Sequence, residues 1–203
     1  MKIFWPRLSV IALLLFVLAV GSGCDATTTQ GTVALSDPQN PTEETFEFSY
    51  ARDDYDSSTG TVTVSASALD NATTPDLDTI LQNGYFYDTG RSIITSAAVE
   101  GVQITNLTAA PAAKVFPYLN EAEIYLQSQS GPLVASGPVP ESGPATLTPT
   151  SAAGNVTQTL KAMAQTTAVL VLDVEEASSI PTESEGGDRI EAMLTYTIRA
   201  PQQ

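Results

Sequence analysis

The segment "RIEAMLTYTIR", residues 189–199, decides the fold because every second residue from Ile190 to Ile198 is apolar. The apolar positions are Ile190, Ala192, Leu194, Tyr196 and Ile198. A repeat of two residues is typical of a β-strand that buries one face and exposes the other. The segment therefore predicts a half-buried strand near the C-terminus.

Three other segments show the same alternation: "TFEFSYA" at 45–51, "TVTVSASAL" at 61–69 and "EAEIYLQ" at 121–127. We expect each to form a half-buried strand. The first two are separated by "RDDYDSSTG", which is rich in turn-forming residues. The sequence therefore predicts that strands 45–51 and 61–69 pair as a hairpin.

Further strands follow from other patterns. The run "TTAVLVLDV" at 166–174 is apolar without interruption over five positions, which predicts a central strand covered on both faces. The segment at 92–107 is long enough for a strand with a bulge near Gly101. The short, Pro-flanked segments "PLVASG" at 132–137 and "ATLTPT" at 145–150 predict edge strands.

Two short helices interrupt the strands. The first is predicted to start at Thr74-Pro75 and to stop at Asn83-Gly84. The second is predicted within "NVTQTLKAMAQ", residues 155–165, where Asn155 and Gln158 have capping-box spacing. Seven or eight strands with turns between them predict an all-β domain over residues 45–203. We expect an antiparallel β-sandwich of immunoglobulin-like or jelly-roll type with one or two short helices.

The first 23 residues have the three parts of a secretory signal: the cations Lys2 and Arg7, an apolar stretch from Leu8 to Val20, and the small residues 21–23 before Cys24. The apolar stretch is shorter than the ~20 residues that a membrane-spanning helix needs. A transmembrane anchor is the alternative that this length disfavours.

An apolar stretch that ends in small residues and a cysteine resembles the signal peptide of bacterial lipoproteins. The resemblance implies cleavage before Cys24 and acylation of its thiol, so that lipid anchors the chain in the cell envelope. Gly21 departs from the pattern, since a leucine is common three residues before the cysteine. An ordinary signal peptide with an incidental cysteine is the alternative. Residues 24–44 are polar and rich in Thr and Pro, which predicts a flexible tether.

Composition excludes several classes of function. The chain has 8 basic and 23 acidic residues and no histidine, and Lys2 and Arg7 lie in the signal. Such an acidic surface disfavours nucleic acid as a partner and is typical of proteins adapted to high salt, so we expect a halophilic protein. Without histidine, and with its one cysteine assigned to lipid, the chain lacks the residues of most catalytic triads and zinc sites. We expect no enzyme activity.

The candidate ligand-binding residues are aromatic. Tyr85 and Tyr87 flank Phe86 in the densest aromatic cluster. Tyr118 lies just before the predicted strand at 121–127, and Tyr125 lies within it. Exposed rings among them would suit a carbohydrate-binding or adhesive module. A glycoside hydrolase is a further alternative, which would need two convergent carboxylates such as Asp76 and Asp78.

One loop has the alternating oxygen ligands of a Ca²⁺ site, at Asp54, Asp56 and Ser58. Its glycine stands at the seventh position instead of the sixth, and no glutamate occupies the twelfth. A solvated turn is the alternative, and we expect no other cofactor. The acidic segment 175–188 is predicted to be a flexible loop that is a further candidate for cation binding.

The order of motifs from "LDTILQNG" at 77–84 to "IEAMLTYTIRA" at 190–200 resembles a group of uncharacterised Gram-negative envelope lipoproteins with a β-sandwich domain. These motifs are packing signatures, so no functional residue is carried over. The sequence predicts a lipid-anchored envelope protein with a non-catalytic binding or structural domain. Its expected partners are the membrane, through lipid on Cys24, and an envelope protein or polysaccharide. The choice between inner and outer membrane stays open.

Overall fold

Ten β-strands carry the fold in the part of the chain that the computed structural model describes, which is residues 32–34, 42–70, 76–83, 90–108, 117–140 and 143–201. The strands are β1 (Thr32–Ala34), β2 (Thr42–Tyr50), β3 (Tyr55–Asp56), β4 (Thr61–Ser67), β5 (Ser96–Asn106), β6 (Leu119–Leu126), β7 (Leu133–Pro138), β8 (Ala145–Pro149), β9 (Thr167–Val174) and β10 (Asp188–Pro201). Their pairings are antiparallel, as predicted.

Both predicted helices are confirmed. They are α1 (Leu77–Asn83) and α2 (Thr157–Ala162). Thr74, the predicted N-cap of α1, lies outside the described residues, and Asp76 Oδ1 accepts the hydrogen bond from Thr79 N at 2.9 Å that an N-cap side chain normally accepts. Short 3₁₀ turns join other elements at Arg52–Asp54, Gly90–Ile93, Ser151–Gly154, Ala177–Ser179 and Glu183–Glu185.

Strand β10 is the centre of the first half of the sheet. It pairs with β5 on one side and with β2 and β1 on the other. Its five predicted apolar positions are all buried, with Tyr196 1% exposed and the others fully buried. The alternation in residues 189–199 therefore identified the buried face correctly.

The described strands form one curled sheet that resembles half of a barrel. From β10 the order is β5, β8, β7, β6, β9, β4 and β3. The curl brings β2 back towards β4, where Phe46 and Ala68 form an isolated bridge and Leu69 N donates to Thr45 O at 2.8 Å. The buried apolar side chains form one continuous core inside this curl.

The predicted hairpin of strands 45–51 and 61–69 is wrong. Strand β2 pairs with β10, while β4 pairs with β9 and with the two-residue strand β3. The turn residues after Tyr50 return the chain only as far as β3, whose Tyr55 pairs with Val62. Each long strand pairs with a different long neighbour, and β2 meets the end of β4 only at the isolated bridge between Phe46 and Ala68.

The predicted edge positions of β7 and β8 are also wrong. Strand β7 lies between β6 and β8. Strand β8 divides its pairing, because Ala145–Leu147 pair with β5 and Thr148 and Pro149 pair with β7. Proline is tolerated in this interior strand because it stands at the last residue, where the ladder ends.

Two finer predictions about strands are confirmed. The register of β5 against β10 shifts between Gly101 and Val99, which leaves Glu100 as the extra residue of a bulge. Strand β9 is central, between β4 and β6, and Val169 and Val171 on its outer face are each only 7% exposed.

The start of the domain differs from the predicted boundary. Strand β2 begins at Thr42, three residues before the expected start, and β1 lies inside the segment expected to be a tether. Residues 32–34 add to the edge of β10 through its last residues, Arg199 to Pro201. From Thr32 onward the described residues belong to one compact unit.

Candidate functional site

Two tyrosines and an aspartate form a buried network where β2 ends and β10 begins. Tyr50 and Asp188 are register partners across these strands, and Tyr118 reaches them from the segment before β6. The Tyr50 and Tyr118 hydroxyl oxygens are 3.1 Å apart, and Tyr118 donates to Asp188 Oδ2. All three residues are buried. The network therefore holds one carboxylate in a fixed position.

Burial sets the protonation of this network. It raises the pKa of Asp188 above 3.8, and the hydrogen bond from Tyr118 only partly offsets that effect. Burial also raises the pKa of Tyr50 and of Tyr118 far above 10.0. Both tyrosines consequently keep their protons at physiological pH and act as hydrogen-bond donors.

A surface cleft of about 320 Å³ opens beside the network. We call it the acidic cleft, and its polar lining comprises Ser49, Tyr50, Asp53, Asp54, Glu183, Asp188 and Arg189. The one cation in this lining, Arg189, donates from Nη1 to Glu47 Oε1 at 2.9 Å. Four carboxylates therefore face a cleft whose only cation is already paired with another carboxylate.

The rim of the acidic cleft is held by tight turns. On one side Asp54 Oδ2 accepts from Ala51 N at 2.9 Å. On the other side Glu185 Oε2 accepts from Thr182 N at 2.8 Å. Gly187 has a φ of 59°, and a Cβ atom there would lie 2.6 Å from Tyr50 O. Only glycine allows the two rims to approach this closely.

Two of the four candidate aromatic residues, Tyr118 and Tyr125, lie in the described part of the chain. Tyr118 is only 4% exposed, and its hydroxyl donates a hydrogen bond to Asp188 Oδ2. Tyr125 is partly buried on the outer face of β6, and its hydroxyl donates to Glu123 Oε2 at 2.8 Å. Tyr85 and Tyr87 lie outside the described residues, as does Cys24.

The predicted Ca²⁺ ligands lie between the start of the 3₁₀ turn at Arg52–Asp54 and β4, where they form hydrogen bonds within the turns. Asp56 Oδ1 accepts from both Ser58 N, at 2.8 Å, and Ser58 Oγ, at 2.7 Å. These bonds lower the pKa of Asp56 below 3.8. Asp54 points to Ala51 N instead. Among the described residues, no group of three or more acidic or cysteine side chains is arranged to hold a metal ion.

Asp76 and Asp78 do not converge on a cleft as a hydrolase would need. Asp76 caps α1, and Asp78 forms two parallel hydrogen bonds with Arg91 at 2.9 and 3.0 Å. The carboxylates that do share a cleft are those of the acidic cleft, of which Asp188 has the raised pKa.

A second depression lies on the outer face of β4 and β9, under the turn after β6. We call it the hydroxyl groove, with a volume of about 360 Å³ and a polar lining of Thr63, Ser65, Gln127, Ser128, Gln129 and Thr167. Val169 lines it as well and pairs with Tyr125 on the neighbouring strand. The groove therefore offers uncharged hydrogen-bonding groups, and Tyr125 lies on the neighbouring strand outside its lining.

Comparisons with protein-family models, with curated proteins and with solved structures found no significant match to this chain. In the described part of the chain no helix is long and apolar enough to cross a membrane. The function is therefore argued from the residues and geometry given above.

Proposed function

We propose that this protein is a lipid-anchored cell-envelope protein whose β-domain is a non-catalytic binding module. The observation that carries the proposal is Cys24, the only cysteine of the chain, at the end of a signal-like apolar segment. Two or more acyl chains on such a residue give stable membrane attachment, whereas one chain gives only marginal binding.

The first strand limits how far the domain could lie from the membrane. Only residues 24–31 separate the proposed lipid from β1. A flexible segment of that length has an r.m.s. span of about 15 Å. We therefore expect the binding partner to be in, or close against, the membrane surface.

Intact-mass analysis of the protein extracted from its native membrane tests the anchor. We expect the mass of a chain that starts at Cys24 plus diacylglycerol and one further acyl group. The Cys24→Ser variant should lack this modification and leave the membrane fraction. An unmodified chain cut at another position would contradict the proposal and indicate a secreted domain.

The acidic cleft is the proposed binding site for a positively charged group of an envelope protein. Its support is the set of four carboxylates around a cleft in which Arg189 is already engaged by Glu47. A lysine or arginine side chain that enters would replace water around these carboxylates with charge-assisted hydrogen bonds, which are stronger than neutral ones.

An NMR titration with trilysine tests this site separately from the anchor. We expect amide shifts concentrated at Tyr50, Gly187 and Arg189, and their loss in the Asp53→Asn/Glu183→Gln double variant. Glu191→Gln, which removes a carboxylate elsewhere on β10, is the matched control. Shifts spread evenly over the acidic surface would contradict a defined site.

Carbohydrate binding at the hydroxyl groove is a second candidate function, favoured by Tyr125 beside a set of uncharged hydroxyl and amide groups. Sugar hydroxyls match such groups, and a sugar ring can pack on an aromatic face.

Neutral hexasaccharides of glucose and of N-acetylglucosamine are suitable probes. Tyr125→Ala should lose about tenfold in affinity, as about 1.4 kcal/mol of lost stacking implies. Tyr125→Phe, which keeps the ring, should retain binding, and equal effects of both variants would contradict stacking.

We further infer that the curled sheet is folded into the two facing layers of a β-sandwich. One layer would contain β2, β10 and β5, the other β4, β9, β6 and β7, with β8 at the corner between them. Its support is the single core formed by the inner faces of both sets. We expect NMR contacts between methyl groups of Leu194 and Leu170, and their absence would contradict two facing layers.

A further inference from the structure

Three buried polar atoms lack hydrogen-bond partners within the described residues, and all belong to neighbouring side chains. They are Glu44 Oε2, Arg91 Nη1 and Tyr196 Oη. The residues are fully buried, 5% exposed and 1% exposed, respectively. They come from β2, from the 3₁₀ turn at Gly90–Ile93 and from β10.

The register of β2 against β10 brings Glu44 and Tyr196 close together. Leu194 pairs with Glu44, so Tyr196 lies two residues further along β10 on the same inner face. The carboxyl group of Glu44 lies within hydrogen-bonding range of the Tyr196 hydroxyl, although the two form no hydrogen bond of normal geometry, and the charge of Arg91 also acts on that hydroxyl. The three side chains therefore lie next to one another between the strands and the turn.

The rest of each polar group is already bound. Glu44 Oε1 accepts from Leu77 N at 2.9 Å and from Thr166 Oγ1 at 2.8 Å. Arg91 uses Nε and Nη2 on the carboxylate of Asp78. Glu44 and Arg91 are thus fixed in place, and neither can turn its remaining atom towards another partner without breaking these bonds.

We propose that Glu44 Oε2, Arg91 Nη1 and Tyr196 Oη together bind an internal water molecule. Buried waters make about three hydrogen bonds, usually to groups that the protein itself leaves unsatisfied. Water can accept from Arg91 and also donate to, or accept from, the carboxyl and hydroxyl groups, which matches the three partners.

Charge excludes ions as the occupant. A cation would lie against Arg91, and an anion would lie close to the carboxyl group of Glu44 while Asp78 already neutralises Arg91. Burial is the largest influence on Glu44 and raises its pKa above 4.5, which favours the uncharged form. A small neutral molecule that both donates and accepts hydrogen bonds fits these conditions, and water is the smallest.

A high-resolution crystal structure of the protein tests the site directly. We expect one water within about 2.7–3.2 Å of all three atoms. A direct hydrogen bond between Glu44 Oε2 and Tyr196 Oη, with no density between them and Arg91, would overturn the proposal.

Water-to-protein NOE spectroscopy gives an independent test in solution. A long-lived water should give a cross-peak to the Tyr196 ring, and the more exposed Tyr125 ring should show none of this kind. The peak should persist in Glu44→Gln, which keeps both hydrogen-bonding positions, and vanish in Glu44→Leu. If Glu44→Leu does not fold, the wild type and Glu44→Gln still decide, since the absence of the peak from both would overturn the proposal.

Discussion

At the scale of single residues, two adjacent glycines should respond differently to the same substitution. Gly186 and Gly187 have φ values of 98° and 59°, so alanine at either adopts a left-handed conformation that costs about 1–2 kcal/mol. A Cβ atom meets nothing within 4 Å at Gly186 but lies 2.6 Å from Tyr50 O at Gly187. Urea unfolding should show the larger loss for Gly187→Ala. Equal losses would mean that the rim relaxes freely.

Asp188 should make stability depend on pH. Its pKa is raised in the fold above the 3.8 of an exposed aspartate. Between these two values the folded state binds more protons than the unfolded state, so wild-type stability falls as pH rises through this window. Asp188→Asn has no proton to lose there.

The test for Asp188 compares the unfolding free energies of variant and wild type in a pH series. The difference should shift in favour of Asp188→Asn as pH rises from about 4, and should level off above the folded pKa. A difference that stays constant across the series would contradict a raised pKa at Asp188.

At the scale of elements, the two faces of β10 should differ sharply. Leu194 is fully buried, whereas its neighbour Met193 points to the opposite, less buried face. Leu194→Ala should cost about 2–5 kcal/mol through the cavity that it leaves. Met193→Ala is the matched control and should cost much less. Similar costs in chemical unfolding would place Met193 in a second packed layer.

The elements also show what the sequence could predict. Alternation in residues 189–199 depends only on neighbouring side chains, so it identified β10 and its buried face. Strand partners depend on residues far apart in the sequence. The turn residues 52–60 therefore predicted a hairpin of β2 and β4, whereas β2 pairs with β10.

The candidate site was less predictable than the strands for the same reason. Tyr50 appeared only as an apolar position of β2, and Asp188 only as the end of an acidic loop. Their contact requires β2 and β10 to be in register and Tyr118 to arrive from a third element. No pattern within one segment contains that information, so Tyr118 could be named only as a candidate ligand-binding residue.

At the scale of the whole molecule, the excess of acidic residues should make stability increase with salt. The chain has a net charge of −15, and its carboxylates repel one another in the compact state. Raising NaCl from low to molar concentration screens this repulsion. Each 1 kcal/mol gained should raise Tm by roughly 2–4 °C. A Tm that stays flat or falls would contradict a halophilic adaptation.

The central position of β10 also has a consequence for the order in which the molecule can fold. Synthesis proceeds from the N-terminus, so β2 and β5 are made long before the strand that pairs with both. Until residues 188–201 emerge, Phe46 and Phe48 of β2 lack the strand with which they pair, and β5 has only β8 as a neighbour. Non-local pairing of this kind is slow, on the order of milliseconds to seconds. The edges of β2 and β5 that β10 will occupy therefore stay open to pairing with other chains until the last strand arrives.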